Sequence, residues 1–229
     1  MTTATRSEHA HSAASLPQQN AAYLLWVFTI ASVIGYCLEK LFTLLTLGCT
    51  YSSKGLLYGP FSQVYGCGAV ALTLLHTPLR RLKPGHAALL SGILSGVLEA
   101  LISWLQEFFF GSVSWHYSGW VLPLWGGRTS LLFMIFWGIL SVLFLYCIEP
   151  RICSLIVRLD LCSRRVLTLT LALFLGVNIA LSALAVQRWH ARQNGITPRN
   201  GIESWIDQRY PDRFMRLTYP GMRFPLLDE

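Results

Sequence analysis

Charge is what this sequence has least of. Only 13% of its 229 residues are Asp, Glu, Lys or Arg, about half the roughly 25% usual in a soluble domain. A water-soluble globule of this size must cover itself with charge, and a chain that is 53% hydrophobic with a mean hydropathy of +0.48 does not. Windows 129–148 and 166–187 hold no charged residue at all. The chain therefore reads as a membrane protein. What charge it has leans to one sign, 18 Lys and Arg against 11 Asp and Glu for a net +7. With no contiguous basic face, that excess fits anchoring to anionic lipid and argues against a nucleic-acid partner.

Catalytic and metal signatures are missing too. Cysteines at 37, 49, 67, 147, 153 and 162 include no CxxC pair, so they read as small core residues and not as a disulfide frame or a zinc site. Without GxxxxGK[ST] the chain cannot itself bind ATP in a P-loop. It has no HExxH, no GxSxG and no paired His/carboxylate metal spacing. No cofactor and no metal are expected.

What is present is length of apolar run. Crossing a bilayer takes about 20 apolar residues, and five windows qualify, at about 21–47, 58–75, 87–110, 129–148 and 166–187. The second is the weakest, since Gly59, Pro60, Gly66 and Gly68 break its start. The fold class expected is all-α, a polytopic membrane helix bundle with about five transmembrane helices. Residues 1–20 are polar, with Arg6 and Glu8, and read as a disordered tail; 188–229 form a polar C-terminal tail. The first span is too long for a signal-peptide core and carries Glu39 and Lys40 near its end.

Lys and Arg concentrate in cytoplasmic loops. The loop between spans two and three holds Arg80, Arg81 and Lys83, and that between four and five holds Arg151, Arg158, Arg164 and Arg165. The opposite loops hold Lys54 and Arg128. This places the N-terminus in the cytoplasm and the C-terminal tail outside, with Arg188, Arg192 and Arg199 dissenting.

Polar residues within the spans mark candidate sites, because a carboxylate at membrane depth costs roughly 2.5–3.5 kcal/mol on insertion scales. Ser32, Gly35 and Glu39 share one stripe of span one. In span three, Ala88, Gly92, Gly96 and Ala100 form a small-xxx-small ridge flanked by Glu99. Since alternate spans run in opposite directions, Glu39, Glu99, Gln63, Tyr65 and Arg128 all fall toward one membrane face. They predict one polar cavity with Arg128 as counter-charge to Glu39 or Glu99, and Tyr117 joins them as a candidate from the outer-loop aromatics. Plainer readings stand beside this. Glu107 and Lys54 snorkel, Arg128 anchors at the interface, and Glu39 bonds backbone or Lys40. Trp104, Trp115, Tyr117, Trp120 and Trp125 form an aromatic belt, His76 is interfacial, and Asn178 is glue between helices.

Several blocks carry a family likeness. They are Gly35 to Glu39, Lys54 to Pro60 continuing through Val64 to Gly68, and Leu98-Glu99 with Trp104 and Glu107. Further along come Trp115 to Ser118, Gly127-Arg128 with Trp137-Gly138 and Pro150, Ile206 to Asp212, and Tyr219 to Met222. On these the sequence resembles the bacterial ABC transporter permease family labelled type IV, small multi-span proteins. It departs from that family at Leu56-Leu57, where Phe-Leu is usual, at His116, where an Asp is usual, and at Thr129-Ser130, where Ile-Cys is usual. The resemblance implies a permease subunit in the bacterial cytoplasmic membrane, its substrate unnamed. It further implies a separate ATP-binding subunit and assembly as a homo- or hetero-oligomer, with 149–165 as the ATPase contact. The alternative is an intramembrane enzyme or a lipid and cell-envelope handling protein using the same residues.

Overall fold

The computed structural model describes residues 20–158 and 161–224. The tail expected over the first 20 residues, Asn20 apart, lies outside the described residues, as does the end of the C-terminal tail. Helix α1 (Ala21–Leu47) starts where the Asn20 side chain accepts the Tyr23 N–H at 2.9 Å and stops at Gly48, whose left-handed backbone returns its N–H to Leu44. Helix α4 (Pro84–Phe110) begins with proline at its first turn and ends the same way at Gly111. Each is 27 residues long, about 40 Å, enough to cross about 30 Å of hydrocarbon with a turn to spare at each end.

Helix α5 (Leu131–Leu143) runs through a π-helical turn (Phe144–Ile148) into α6 (Glu149–Arg158), and α7 covers Leu161–Gln193. Among the described residues four helices are long and apolar enough to span a membrane: Ala21–Leu47, Pro84–Phe110, Leu131–Arg158 and Arg164–Gln193. The second expected span differs. Its helix α2 (Gln63–Leu74) starts five residues later than the apolar window and, at 12 residues, covers only about 18 Å. The five-residue α3 (His76–Arg80) extends it after a break at Leu75. Pro60 and Gly59 explain the late start. Gly59 has φ of +81°, and a Cβ there would lie 2.3 Å from the Phe61 ring.

The bundle has an apolar core, with Tyr23, Val27, Leu79, Phe144 and Leu145 buried together, and apolar side chains on its outside as well. Leu169 and Leu173 on α7 are 71% and 70% exposed, as side chains facing lipid would be, while the interior collects Ser32, Ser91, Ser103, Ser141 and Asn178. Helix α4 packs along α5, and α1 along α2. The α4–α5 contact is close because Gly92 and Gly138 face each other, their Cβ positions 2.5 Å from the carbonyl oxygens of Met134 and Ala88.

Irregular backbone at this depth must find its hydrogen bonds in protein. The stretch before α2 finds them in α7. Asn178 accepts the Tyr58 N–H at 3.2 Å and donates to the Tyr58 carbonyl at 2.7 Å, and the Ser182 hydroxyl accepts the Leu57 N–H at 2.9 Å. Leu56 and Leu57 are buried by this clamp. Asn178 thus joins α7 to a loop and not to another helix.

Beyond α7 the chain folds back as α8 (Gly201–Arg209) and α9 (Asp212–Thr218). Ile206, Tyr210, Met215 and Tyr219 pack with Leu57 and Trp189 into a second apolar core. Arg188 grips Asp207 through Nε at 3.1 Å and Nη2 at 2.5 Å and reaches Glu203 at 3.2 Å, and Arg192 bonds Asp212 at 2.7 Å and also pairs with Asp207. Val113 and Arg223 exchange backbone bonds, and Ser52 donates to the Thr218 carbonyl. The C-terminal segment therefore caps the face that carries the 48–62 and 111–130 connections.

Candidate functional site

Glu99 is the centre of the polar residues on that face. It is 3% exposed and lies on α4 in register with Ser103 and Glu107, four and eight residues on and so along one helical stripe. Three donors meet its carboxylate. The Tyr117 hydroxyl bonds Oε1 at 2.8 Å, the Thr129 hydroxyl bonds Oε2 at 2.7 Å, and the Trp137 indole N–H reaches Oε2 at 3.4 Å. These come from the 111–122 connection, from a short hairpin and from α5, so one acid ties three segments together. Burial and then the adjacent Glu99 carboxylate push the Tyr117 phenol well above its ordinary range, which keeps it a donor.

The hairpin decides where Arg128 goes. Strands β1 (Pro123–Leu124) and β2 (Thr129–Ser130) pair antiparallel, Leu124 opposite Thr129, across a turn in which Gly126 and Gly127 both have positive φ. Successive residues on extended backbone point opposite ways. Thr129 turns to Glu99, and Arg128 reaches the other end of the α4 stripe, where Nη1 bonds Ser103 at 3.1 Å and Nη2 pairs with Glu107. The expected pairing of Arg128 with Glu39 or Glu99 is therefore replaced by one with Glu107, which does not simply snorkel. The Trp115 indole holds this turn through the Arg128 carbonyl at 3.1 Å.

Glu39, on α1, lies within electrostatic range of Glu99, Tyr65 and Tyr117, with the Ser62 side chain beside it. It is half-buried, and among the described residues no ion pair reaches it; Lys40 instead sits over the Tyr36 ring, 5.4 Å from its centre. Tyr65 stacks obliquely on Trp137, ring centres 4.8 Å apart, and fills the space over Gly35, where a Cβ would lie 2.1 Å from its Cγ. Gln63 is turned to Gly55. The structure thus gathers Glu39, Glu99, Tyr65 and Tyr117 and sets Arg128 and Gln63 at the margin.

Thr129 and Trp137 were not legible as partners of Glu99 from their spacing. Their trace in the sequence is indirect, a Gly-Gly turn that brings 129 to α4 and an indole one face down α5. A second buried pair was also missed. Toward the opposite face His76 Nδ1 meets Glu149 Oε2 at 2.6 Å, with Glu149 fully buried. His76 is accordingly buried against a carboxylate partner. The available signal was an acid directly after 20 uncharged residues.

Comparison with known families gives one result: the family described as "Putative ABC-transporter type IV" matches residues 26–183. No curated protein and no solved structure matches the chain.

Proposed function

This chain belongs to the type IV ABC-transporter family, and from that premise we propose that it is the membrane-spanning subunit of an ABC-type transporter in a bacterial cytoplasmic membrane. It captures its substrate at the capped face, around Glu39, Glu99, Tyr65 and Tyr117. The observation that carries the site is the buried Glu99 carboxylate, held by three donors from three segments beside a second acid, Glu39, that no Lys or Arg pairs with among the described residues. Acids are not kept at membrane depth without a partner or a ligand.

The sequence has no P-loop, so ATP hydrolysis is assigned to a separate subunit, and a two-fold pathway calls for a second membrane subunit, a copy or a homologue. Helix α6 is the ATPase contact. It buries Ile152 and Ile156, leaves Leu155 and Val157 exposed beside Arg151 and Arg158, and stands at the face opposite the cap. The excess of Lys and Arg in the 78–85 and 149–165 connections makes that face cytoplasmic and the capped face external.

The test is purification of the tagged full chain from its native membrane, followed by ATP hydrolysis measurement. Vanadate-sensitive hydrolysis should accompany the wild type and be lost from the preparation when Leu155 and Val157 are both changed to Asp. A stable preparation that carries no ATPase would refute the transporter reading.

A further inference from the structure

The uncharged stretch of α7, residues 166–187, is about 33 Å long at 1.5 Å per residue and takes up the hydrocarbon thickness of about 30 Å. Arg188 therefore stands at the level of the lipid headgroups. It bonds Glu203 and Asp207, and Arg192 bonds Asp207 and Asp212. Ile206 and Met215 pack with Ala185, Val186 and Trp189 of the same helix. Helices α8 and α9 are thus held against the last turns of α7, at headgroup depth.

These pairings leave a surplus of one charge. Residues 188–224 carry seven arginines and three acids, and Arg188 and Arg192 take all three acids. Arg199, Arg209, Arg213, Arg216 and Arg223 are exposed, and among the described residues none of them makes an ion pair. Asp228 and Glu229 lie outside the described residues, and the five cations outnumber them. On the face proposed as external, the positive-inside bias gives no reason for such an excess.

The surplus comes with apolar side chains. In α8, Glu203, Ile206 and Asp207 turn to α7, while Ile202, Trp205 and Arg209 share another stripe and are exposed. In α9, Met215 and Thr218 are buried, while Arg213, Arg216 and Leu217 are exposed. Tryptophan is favoured at headgroup level, and the guanidinium fork matches phosphate. A soluble acidic protein would match the charge but leave Ile202, Trp205 and Leu217 without apolar contact at that depth.

We propose that α8 and α9 bind phospholipid of net negative charge, with Arg209, Arg213 and Arg216 on the headgroup phosphates and Trp205 at the interface. This goes beyond the proposed function and stands apart from it, since none of these residues bonds to Glu39, Glu99, Tyr65 or Tyr117. A zwitterionic lipid fits less well, because its own cation offsets the phosphate.

The test uses the purified full chain in phosphatidylcholine nanodiscs at about 0.1 M salt, with either phosphatidylglycerol or phosphatidylcholine brominated on its acyl chains as a minor component. Quenching of Trp205 is the difference between wild type and Trp205→Phe. At equal low mole fraction, brominated phosphatidylglycerol should quench it about fivefold or more strongly than brominated phosphatidylcholine, the factor one basic residue supplies near an anionic surface. Changing Arg209, Arg213 and Arg216 together to Gln should bring the ratio close to one, as should about 1 M salt. Arg81→Gln, on the opposite face, should leave it unchanged. A second readout needs no variant: amide exchange over 201–218 in the wild type should slow severalfold when phosphatidylglycerol replaces part of the phosphatidylcholine. Equal quenching by the two lipids, a folded triple variant that keeps the ratio, or unchanged exchange would each overturn the proposal. So would quenching by neither lipid, which would put these helices clear of the bilayer and favour a soluble acidic partner. Release of the brominated phosphatidylglycerol by glycerol 3-phosphate would also overturn it, by making the site one for free phosphate.

Discussion

The α4–α5 contact makes the sharpest stability prediction, because the same substitution at three glycines should differ in sign. At Gly92 an added Cβ would sit 2.5 Å from the Met134 carbonyl oxygen, which is backbone and cannot move unless the helices separate. At Gly96 the nearest atom, at 2.6 Å, is Cγ of the flexible Met134 side chain, and at Gly176 nothing lies within 4 Å. Overpacking costs about 1–3 kcal/mol, whereas alanine in place of glycine in an unobstructed helix gains up to about 1 kcal/mol. Gly92→Ala should therefore lower the unfolding midpoint in detergent by roughly 2–10 °C on the scale for chains of this size. Gly96→Ala should cost less, and Gly176→Ala should be neutral or stabilising. Gly138→Ala, which meets the Ala88 carbonyl from the other side, should cost about as much as Gly92→Ala. The double variant should cost less than the sum, because one separation of the helices relieves both clashes. Equal midpoints for Gly92→Ala and Gly176→Ala would refute the packing argument.

Other expectations follow from single contacts. Asn178→Leu leaves the Tyr58 N–H and carbonyl unpaired and should cost roughly 1–3 kcal/mol per group, read as a lower unfolding midpoint and faster proteolysis in 51–62. Burial alone would raise Asp207, but bonds from Arg188 and Arg192 outweigh it and hold its carboxyl below the ordinary range. A lowered native pKa gives stability that is present above the unfolded value of about 3.9 and is lost as pH falls through the native value. Docking of α8 and α9 should hold from neutral pH to about 4 and loosen below it, followed by hydrogen exchange, and Asp207→Asn should be loose at every pH. Tyr117→Phe removes one donor from Glu99 and should lower thermal stability by about 1–3 kcal/mol, with Thr129→Val similar; no change in either would mean that the cluster does not hold the loop.

The long spans were legible because transmembrane length and uncharged runs are properties of local sequence, and α1, α4, α5 and α7 answer to them. The small-residue ridge was legible for the same reason, since Gly92 and Gly96 at fixed spacing imply a partner helix. What could not be read was anything set by a turn. Gly59-Pro60 shortened α2 and left 51–62 irregular, and the hydrogen bonds of Leu57 and Tyr58 come from α7 more than 100 residues away. The hairpin likewise sorted Arg128 from Thr129 by the alternation of two adjacent residues, and depth along the membrane says nothing of which acid each would meet. The C-terminal segment looked merely polar because its arginines and acids are close to balanced, and only folding shows that they pair across α7 and α8.

Capture of a substrate from outside the cell requires the Glu99 site to open to that side, and sidedness can be measured directly. Ser118 is exposed one residue from Tyr117, whose hydroxyl is on Glu99, and Gly85 is exposed at the other face. In a background lacking the six native cysteines, Ser118→Cys in intact cells should react with a membrane-impermeant maleimide, and Gly85→Cys should react only after the membrane is opened. Labelling of Gly85→Cys but not Ser118→Cys in intact cells would put the site in the cytoplasm and contradict the external capture site.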